Sequence, residues 1–371
     1  MLISDVLNRL EKIAPSGLAQ PWDNVGLLIG DGREKVKDVL LAVDITDAVA
    51  EEAASKKCGL IVSYHPVIFE GLKKITPAGD KPVVFKLIKN NIAACSVHTS
   101  LDVVCGGVND GLAEMIGLQD TSPIGEYVED TSVEGLYRLV VFIPTAYVDK
   151  VSKAVFDAGA GRLGSYSECG FFTEGVGSFR PLEGSNPAIG TRDRLEQVEE
   201  YRFETIVKAS HLANVVAAMK TAHPYEMPAY DIISLETERK RYGIGRIGRL
   251  KKALTLNGIL DRLKAATGCK SAGIIGRKTG KFSRAAVCAG SCGSVIREVV
   301  KNDSQIYITG ELKHHDALYA QESGLSCICL GHSVSERFML SKLKSILSGS
   351  LEGVNFHISR KDKDPFTWKQ L

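Results

Sequence analysis

Ser63-Tyr64-His65-Pro66 and His98-Thr99-Ser100-Leu101-Asp102 lie in the first third of this chain, and Gly331-His332-Ser333-Val334-Ser335-Glu336 lies near its C-terminal end. Imidazoles and carboxylates in such sets suit a borderline divalent metal such as Zn, Mn or Fe. His332 and Glu336 are four residues apart at the entrance of a predicted helix, which puts their side chains roughly 5–6 Å apart on one face. Taken alone, that spacing fits a surface contact as well as a ligand pair. His65 ends a predicted strand and is fixed by the restricted backbone before Pro66; a capping hydrogen bond and a metal ligand are both open to it. A carboxylate bridging two metals would hold them about 3.5–4 Å apart, the geometry that activates a shared water and clamps an oxyanion. His98, His314 and His315 are further candidates, as ligands or as acid–base groups beside the site, although a His-His run on a helix face also fits plain polar surface. These sets make one site only if the first and last thirds of the chain fold into a single domain.

The elements that must position them follow from hydrophobic patterning. Val39–Val43 is an apolar run ending at Asp44, Asp47 to Lys57 a helix, and Leu60–Ser63 a second strand that stops at Tyr64-His65-Pro66. Lys81 to Asn90 has helical spacing, Ile92 to Val97 is a third strand, and Gly107 to Ile116 a further helix. The first helix is expected to start near Ser4 as its N-cap. The final third resumes the alternation, with strands at 283–289, 304–309 and 325–330 and helices at 293–301, 314–322 and 335–347. Strand and helix in alternation predict α/β layering, with polar residues converging at the C-terminal ends of the strands.

The stretch from about 122 to 242 differs. A strand over 136–143, a helix over 147–158, a glycine- and aromatic-rich passage, a strand over 199–207, a helix over 211–222 and a strand over 229–235 predict a compact ferredoxin-like insert. Gly243-Ile-Gly-Arg-Ile-Gly248 matches a GxGxxG string but is followed by Arg-Leu-Lys-Lys rather than an apolar helix, and no GxxxxGK[ST] loop is present. Gly159-Ala-Gly-Arg162 reads either as an anion-binding turn or as tight turns beside an apolar docking surface.

A length of 371 residues predicts two domains. Charged residues make up 24% and the 46 basic residues nearly balance the 44 acidic ones, so neither nucleic acid nor an anionic membrane is the expected partner. No apolar run reaches bilayer length, and the N-terminus lacks the order of a secretory signal, so a cytoplasmic location is expected. The nine cysteines form no repeated CxxC pair, and reduced, mostly buried thiols are the better reading.

Together these segments resemble the Nif3-like family of dinuclear-metal-centre hexameric proteins, whose members are often described as homologues of type 2 GTP cyclohydrolase 1. The resemblance rests on Pro21-Trp22-Asp23-Asn24-Val25-Gly26-Leu27-Leu28, Tyr64-His65-Pro66, His98-Thr99 to Asp102 with Gly106-Gly107-Val108-Asn109, Thr309-Gly310-Glu311 with His314-His315, and Gly331-His332 to Glu336. The middle segment is similar to the PII-like and copper-tolerance-like insert of longer members, through Gly159-Ala160-Gly161 to Gly164-Ser165-Tyr166, Gly175-Val176-Gly177-Ser178-Phe179-Arg180-Pro181 and His223-Pro224-Tyr225-Glu226.

The resemblance implies an α/β fold with a discontinuous core of two related lobes, 1–125 and 243–371, and an inserted ferredoxin-like, PII-like α+β domain over 126–242. It implies two divalent metal ions per subunit and a toroidal homohexamer, a trimer of dimers. The family's metal ligands fall on His65, Asp102, His332 and Glu336. Many members read His-His-Pro where this chain has Tyr64, and a phenol with a pKa near 10 is a poorer ligand. The second metal is then held more weakly, or is coordinated by Tyr64, His98 or water. The expected activity is metal-dependent hydrolysis of a small phosphorylated or nucleotide-like substrate, with His98 and Glu336 as catalytic groups. Its alternatives are a non-enzymatic ring protein that handles or senses metal or serves as an adaptor, and a structural protein without metal.

Overall fold

Alternate residues of a strand point to opposite faces, and in the central strands of this chain both faces are apolar. In the computed structural model, which describes residues 1–125, 128–129, 135–235 and 241–367, Asp38–Ala42, Leu60–Ser63 and Ala93–Ser96 pair in parallel, with Leu41 opposite Val62 and Val62 opposite Cys95. Gly26–Ile29 adds antiparallel at one edge, and Asn355–Ile358 adds parallel at the other, giving a five-stranded sheet. A six-stranded sheet runs in the order Gly273–Ile275, Ser326–Cys329, Ile306–Glu311, Lys281–Ser291, Gly245–Thr255, Leu118–Ile124. Three neighbouring strands in it, Ser326–Cys329, Ile306–Glu311 and Lys281–Ser291, are parallel. Parallel strands covered on both faces read as unbroken hydrophobic runs, as Leu60–Ser63 does.

One core lies between the sheets. Val39, Leu41 and Val62 from the first sheet join Val287, Ile306 and Ile308 from the second. The helices Ile3–Ile13, Val108–Ile116, Leu256–Thr267 and Met339–Ser348 supply the rest. The outer face of the first sheet (Leu40, Ile61, Ala94) is covered by the helices Asp47–Ser55 and Pro82–Lys89. That of the second (Ala286, Cys288, Tyr307) is covered by Ile296–Lys301 and His314–Glu322. Each buried Leu, Ile or Val contributes roughly 1.5–3 kcal/mol, so the shared core joins the two terminal thirds.

The chain divides into two compact units, Met1–Glu129 with Arg241–Leu371, and Asp130–Lys240. The second holds an antiparallel four-stranded sheet in the order Tyr230–Ser234, Leu136–Pro144, Glu196–Lys208, Gly170–Phe179, with the helices Val148–Asp157 and Ala209–Ala222. Of the boundaries expected from sequence, residue 126 lies outside the described residues.

Two local expectations change, and the glycine string behaves as its sequence context implies. The first helix starts at Ile3 after Leu2, not after Ser4, because the Asp5 carboxylate accepts the Leu2 N–H at 2.8 Å. The Gly243–Gly248 string runs into the strand Gly245–Thr255 and forms no phosphate-binding turn. The helix expected at 335–347 begins earlier, at His332 after Gly331 with φ +92°, and is followed by a separate helix from Met339. All nine cysteines are free, and only Cys105 is exposed.

Two buried polar knots fasten segments from opposite ends of the chain. Asp362 accepts from the Val43 backbone N–H at 2.7 Å and from Arg337 Nη1 at 2.6 Å. Arg246 donates to Asp110 at 2.7 Å and to the carbonyls of Gly243, Val103 and Val104, immediately beyond Asp102. Replacing Arg246 with Ala removes the charged partner of Asp110, which keeps only the Gly106 N–H, and takes the side-chain donor from those carbonyls. Breaking a buried pair in this way costs about 3–5 kcal/mol, and urea unfolding of R246A is expected to show a loss of that size.

Candidate metal centre

Every candidate side chain sits just beyond the C-terminal end of a parallel strand, or on the helix that follows one. His65 follows Leu60–Ser63, and its N–H bonds to the Val43 carbonyl at 2.9 Å, so the pairing continues two residues past the strand and fixes the His65 backbone. His98 opens the helix His98–Val103, which also carries Asp102. His332 and Glu336 share the helix His332–Arg337. Because both sheets aim these edges at one region, side chains from the first and last thirds meet.

The meeting point is Glu336. Its side chain is only 4% exposed, and its two oxygens face two imidazoles: Oε2 lies 3.5 Å from His65 Nε2, and Oε1 lies 3.3 Å from His332 Nε2. One donor atom from each of His65, His332 and Glu336 falls within 4.8 Å of the others. Donors bound to one ion at about 2.0–2.2 Å are themselves roughly 3–4 Å apart, so the set fits a divalent cation. Two further observations agree. Glu336 Oε2 is buried without a hydrogen-bond partner, and a Cβ on Gly290 (φ +71°) would lie 2.7 Å from Glu336 Oε1.

Each histidine is oriented by a carboxylate at its other nitrogen. His65 Nδ1 meets Asp44 at 2.9 Å, His332 Nδ1 meets Glu311 at 3.0 Å, and His98 Nδ1 meets Asp23 at 2.8 Å. A carboxylate at Nδ1 holds the proton there and leaves Nε2 to face a ligand. Sequence reasoning gave Asp44, Glu311 and Asp23 no role, although Asp44 closes an apolar run and the other two sit inside quoted motifs. Asn109 was likewise unassigned. Its amide donates to the Asp102 carbonyl at 3.2 Å and its carbonyl accepts the Ala289 N–H at 2.7 Å, tying the Asp102 helix to the strand that ends beside Gly290.

Asp102, His98 and Tyr64 lie next to this group rather than within it. The His98 ring is 5.2 Å from His65 and 5.7 Å from Tyr64. The buried Tyr64 phenol donates to Asp102. Burial holds that phenol well above its usual pKa, with the Asp102 and Glu336 carboxylates adding to the effect. Burial, opposed by the Tyr64 hydrogen bond and reinforced by Glu336, pushes the Asp102 carboxyl up to about 8. His314 and His315 touch each other, with ring centroids 5.6 Å apart, on the helix His314–Glu322, and neither belongs to the three-donor group.

Fold and site thus define a class: an α/β protein with a His–Glu–His cluster, at the converging strand ends of its five- and six-stranded sheets, that could hold a metal ion. The model of the family Duf34/NIF3 (NGG1p interacting factor 3) matches residues 1–365, and the chain belongs to that family. Relatives named "GTP cyclohydrolase 1 type 2 homolog" from Halalkalibacterium halodurans and Bacillus subtilis are each 36% identical to it. The first covers 98% of both chains, the second 98% of this chain and 97% of its own. A Bacillus cereus protein related to NIF3 superposes with a TM-score of 0.69 at 35% identity, and a Staphylococcus aureus protein with 0.79 at 29%; each match covers 100% of this chain and 99% of the other.

The charge state of the metal-free centre follows from its geometry. Burial alone would lower His65, but the Asp44 and Glu336 carboxylates beside its two ring nitrogens outweigh that and hold it at about 10. The hydrogen bond to Glu336 lifts His332, against burial, to about 9. Burial works to raise Glu336, yet the two imidazoles keep it below its ordinary value. Both histidines therefore stabilise the metal-free fold fully below pH 6.5, their ordinary value, and that contribution is lost as pH climbs through 9 and 10. Binding an ion near pH 7 must displace both protons. Calorimetry in buffers of different ionisation enthalpy is expected to report release of about two protons per ion, with apparent affinity rising up to about pH 9–10.

Proposed function

We propose that the protein binds a divalent cation between His65, His332 and Glu336 and acts as a metal-dependent hydrolase of a small phosphorylated or nucleotide-like substrate. The observation that carries the reading is the buried Glu336 carboxylate, with an unpartnered oxygen, between two carboxylate-oriented imidazoles. When bound, a divalent ion there supplies Lewis acidity toward a phosphoryl or carbonyl oxygen.

The surrounding residues supply binding and proton handling. His98, held at Nδ1 by Asp23, has its other nitrogen available to accept or donate a proton beside the cluster. Gly290, which clears Glu336, is followed by Ser291 on the wall of a cavity of about 500 Å³ that also contains Arg297, Lys313 and His315. Its one carboxylate, Asp316, is outnumbered by these basic groups, which suit a phosphoryl group. A second cavity of about 410 Å³ is lined by His332, Glu311 and Asp364 with apolar Leu312 and Leu330, and it has no basic side chain besides the histidine. Phosphate is therefore assigned to the first cavity, and a body bearing N–H donors to the second.

A second ion would take Asp102, and Tyr64 governs that position. Its phenol proton occupies the carboxylate, so filling it requires the hydrogen bond to break. This contact also favours a second reading: with one three-donor site ready, the protein handles or senses metal as an adaptor without turnover. The 130–240 unit is read as an inserted ferredoxin-like, PII-like domain, supported by its strand-helix-strand-strand-helix-strand order and 4-1-3-2 arrangement. The assembly is read as a cytoplasmic homohexamer, a trimer of dimers, on the family resemblance. Among the described residues, no helix is long and apolar enough to cross a membrane.

Metal analysis of freshly purified protein, with turnover measured over phosphoesters, cyclic nucleotides and GTP, tests the reading. His332→Ala is expected to lose bound metal, and Asp102→Ala to retain one ion. Asp44→Asn, which removes the carboxylate that orients His65 and adds to its basicity, should weaken metal binding about 10–100-fold. Unchanged metal content in H332A contradicts the site. Bound metal with no turnover on any substrate leaves the adaptor reading.

A further inference from the structure

Two motifs in the 130–240 unit have no part in the metal centre, yet they line one cavity. From the first motif Gly177, Ser178, Phe179 and Pro181, and from the second Tyr225 and Glu226, line a space of about 390 Å³. That volume suits a small organic molecule. His223 is a fastener: its Nε2 meets the Phe142 carbonyl at 2.9 Å and its Nδ1 accepts the Tyr225 N–H at 3.1 Å. Tyr225 is thereby held with its phenol donating to Glu200 Oε1 at 3.1 Å and its ring edge-on to Phe179, centroids 5.6 Å apart. Burial and the Glu200 carboxylate keep that phenol above its ordinary pKa, so it remains a donor.

The other Glu200 oxygen is cleared by glycine, since a Cβ at Gly177 would overlap Oε2. Phe142, Phe179, Pro181, Ile189 and Met227 give the cavity an apolar body. Its charged lining consists of two carboxylates, Glu200 and Glu226, with no lysine, arginine or histidine. An anionic ligand such as a nucleotide is disfavoured by that charge, whereas a cation gains from it. The loop over the cavity is folded on itself: Arg180 donates to the Asp193 carbonyl at 2.6 Å, Arg192 donates to the Ser185 carbonyl at 2.7 Å, and the Asn186 N–H reaches Glu226 at 3.1 Å.

We propose that this cavity binds a small organic ammonium or amidinium compound with an apolar body, its N–H groups pairing with Glu200 beneath Gly177 and its body packing against Phe179 and Ile189. The site is separate from the metal centre and stands or falls independently of it.

Three probes of similar size and different charge test this on the full-length protein: 2-phenylethylammonium, 2-phenylethanol and phenylacetate, followed by saturation-transfer NMR and titration. The ammonium is expected to bind at least roughly tenfold more tightly than the other two, the size of one charge-assisted hydrogen bond. Glu200→Gln should reduce it to the level of the alcohol. Ala188→Trp, on the loop that lines the cavity, should abolish binding of all three without touching Glu200. If circular dichroism shows E200Q to be misfolded, A188W decides. The proposal is overturned if the ammonium binds no better than the alcohol, if its affinity survives a folded E200Q or A188W, or if no probe binds at millimolar concentration because another copy of the chain covers the cavity.

Discussion

A carboxylate taken out of water needs opposite charge close by, and Glu336 is where this fold meets that demand. The cost of burying an isolated ion is several kcal/mol even after relaxation. His65 and His332 offset it by approaching both oxygens and retaining their protons to unusually high pH. Two imidazolium protons thus supply the same charge that a dication would bring.

The remaining architecture keeps those three groups in register. Each imidazole is set by a carboxylate from another strand end, Asp44 for His65 and Glu311 for His332. Gly290 removes the one methyl group that would crowd Glu336, and Ser335 accepts the Gly290 N–H at 2.9 Å to keep that turn in place. Tyr64 illustrates the opposite choice. Buried in the core shared by both sheets, its phenol answers Asp102 with a proton, so the neighbouring carboxylate is satisfied by the protein itself.

Much of this was legible in the sequence because strand ends concentrate polar residues after apolar runs. His65 after Leu60–Ser63 and the i,i+4 pair His332 and Glu336 after Ser326–Cys329 carry that signal openly. The parallel strands were legible for the same reason, their apolar runs being unbroken. What was not legible depends on contacts between distant segments. Asp44 looked like the end of a run and Asp23 like part of a motif, since nothing local says which histidine either will meet. Gly245–Thr255 was missed because glycines and charged residues interrupt its pattern, and Asn355–Ile358 because it is only four residues long; the place of both is set by neighbours already in the sheet. The capping of the first helix turned on a single hydrogen bond, where Asp5 outcompetes Ser4 for the exposed end.

The edge strand Asn355–Ile358 pairs with Asp38–Ala42, and Asp362 holds the Val43 backbone beside it. During translation, therefore, the first sheet emerges from the ribosome with an open parallel edge and with His65 facing no carboxylate from the other lobe. It stays so while everything between is synthesised. Until then the three-donor group is incomplete, and the unpaired edge of Asp38–Ala42 is open to pairing with another chain.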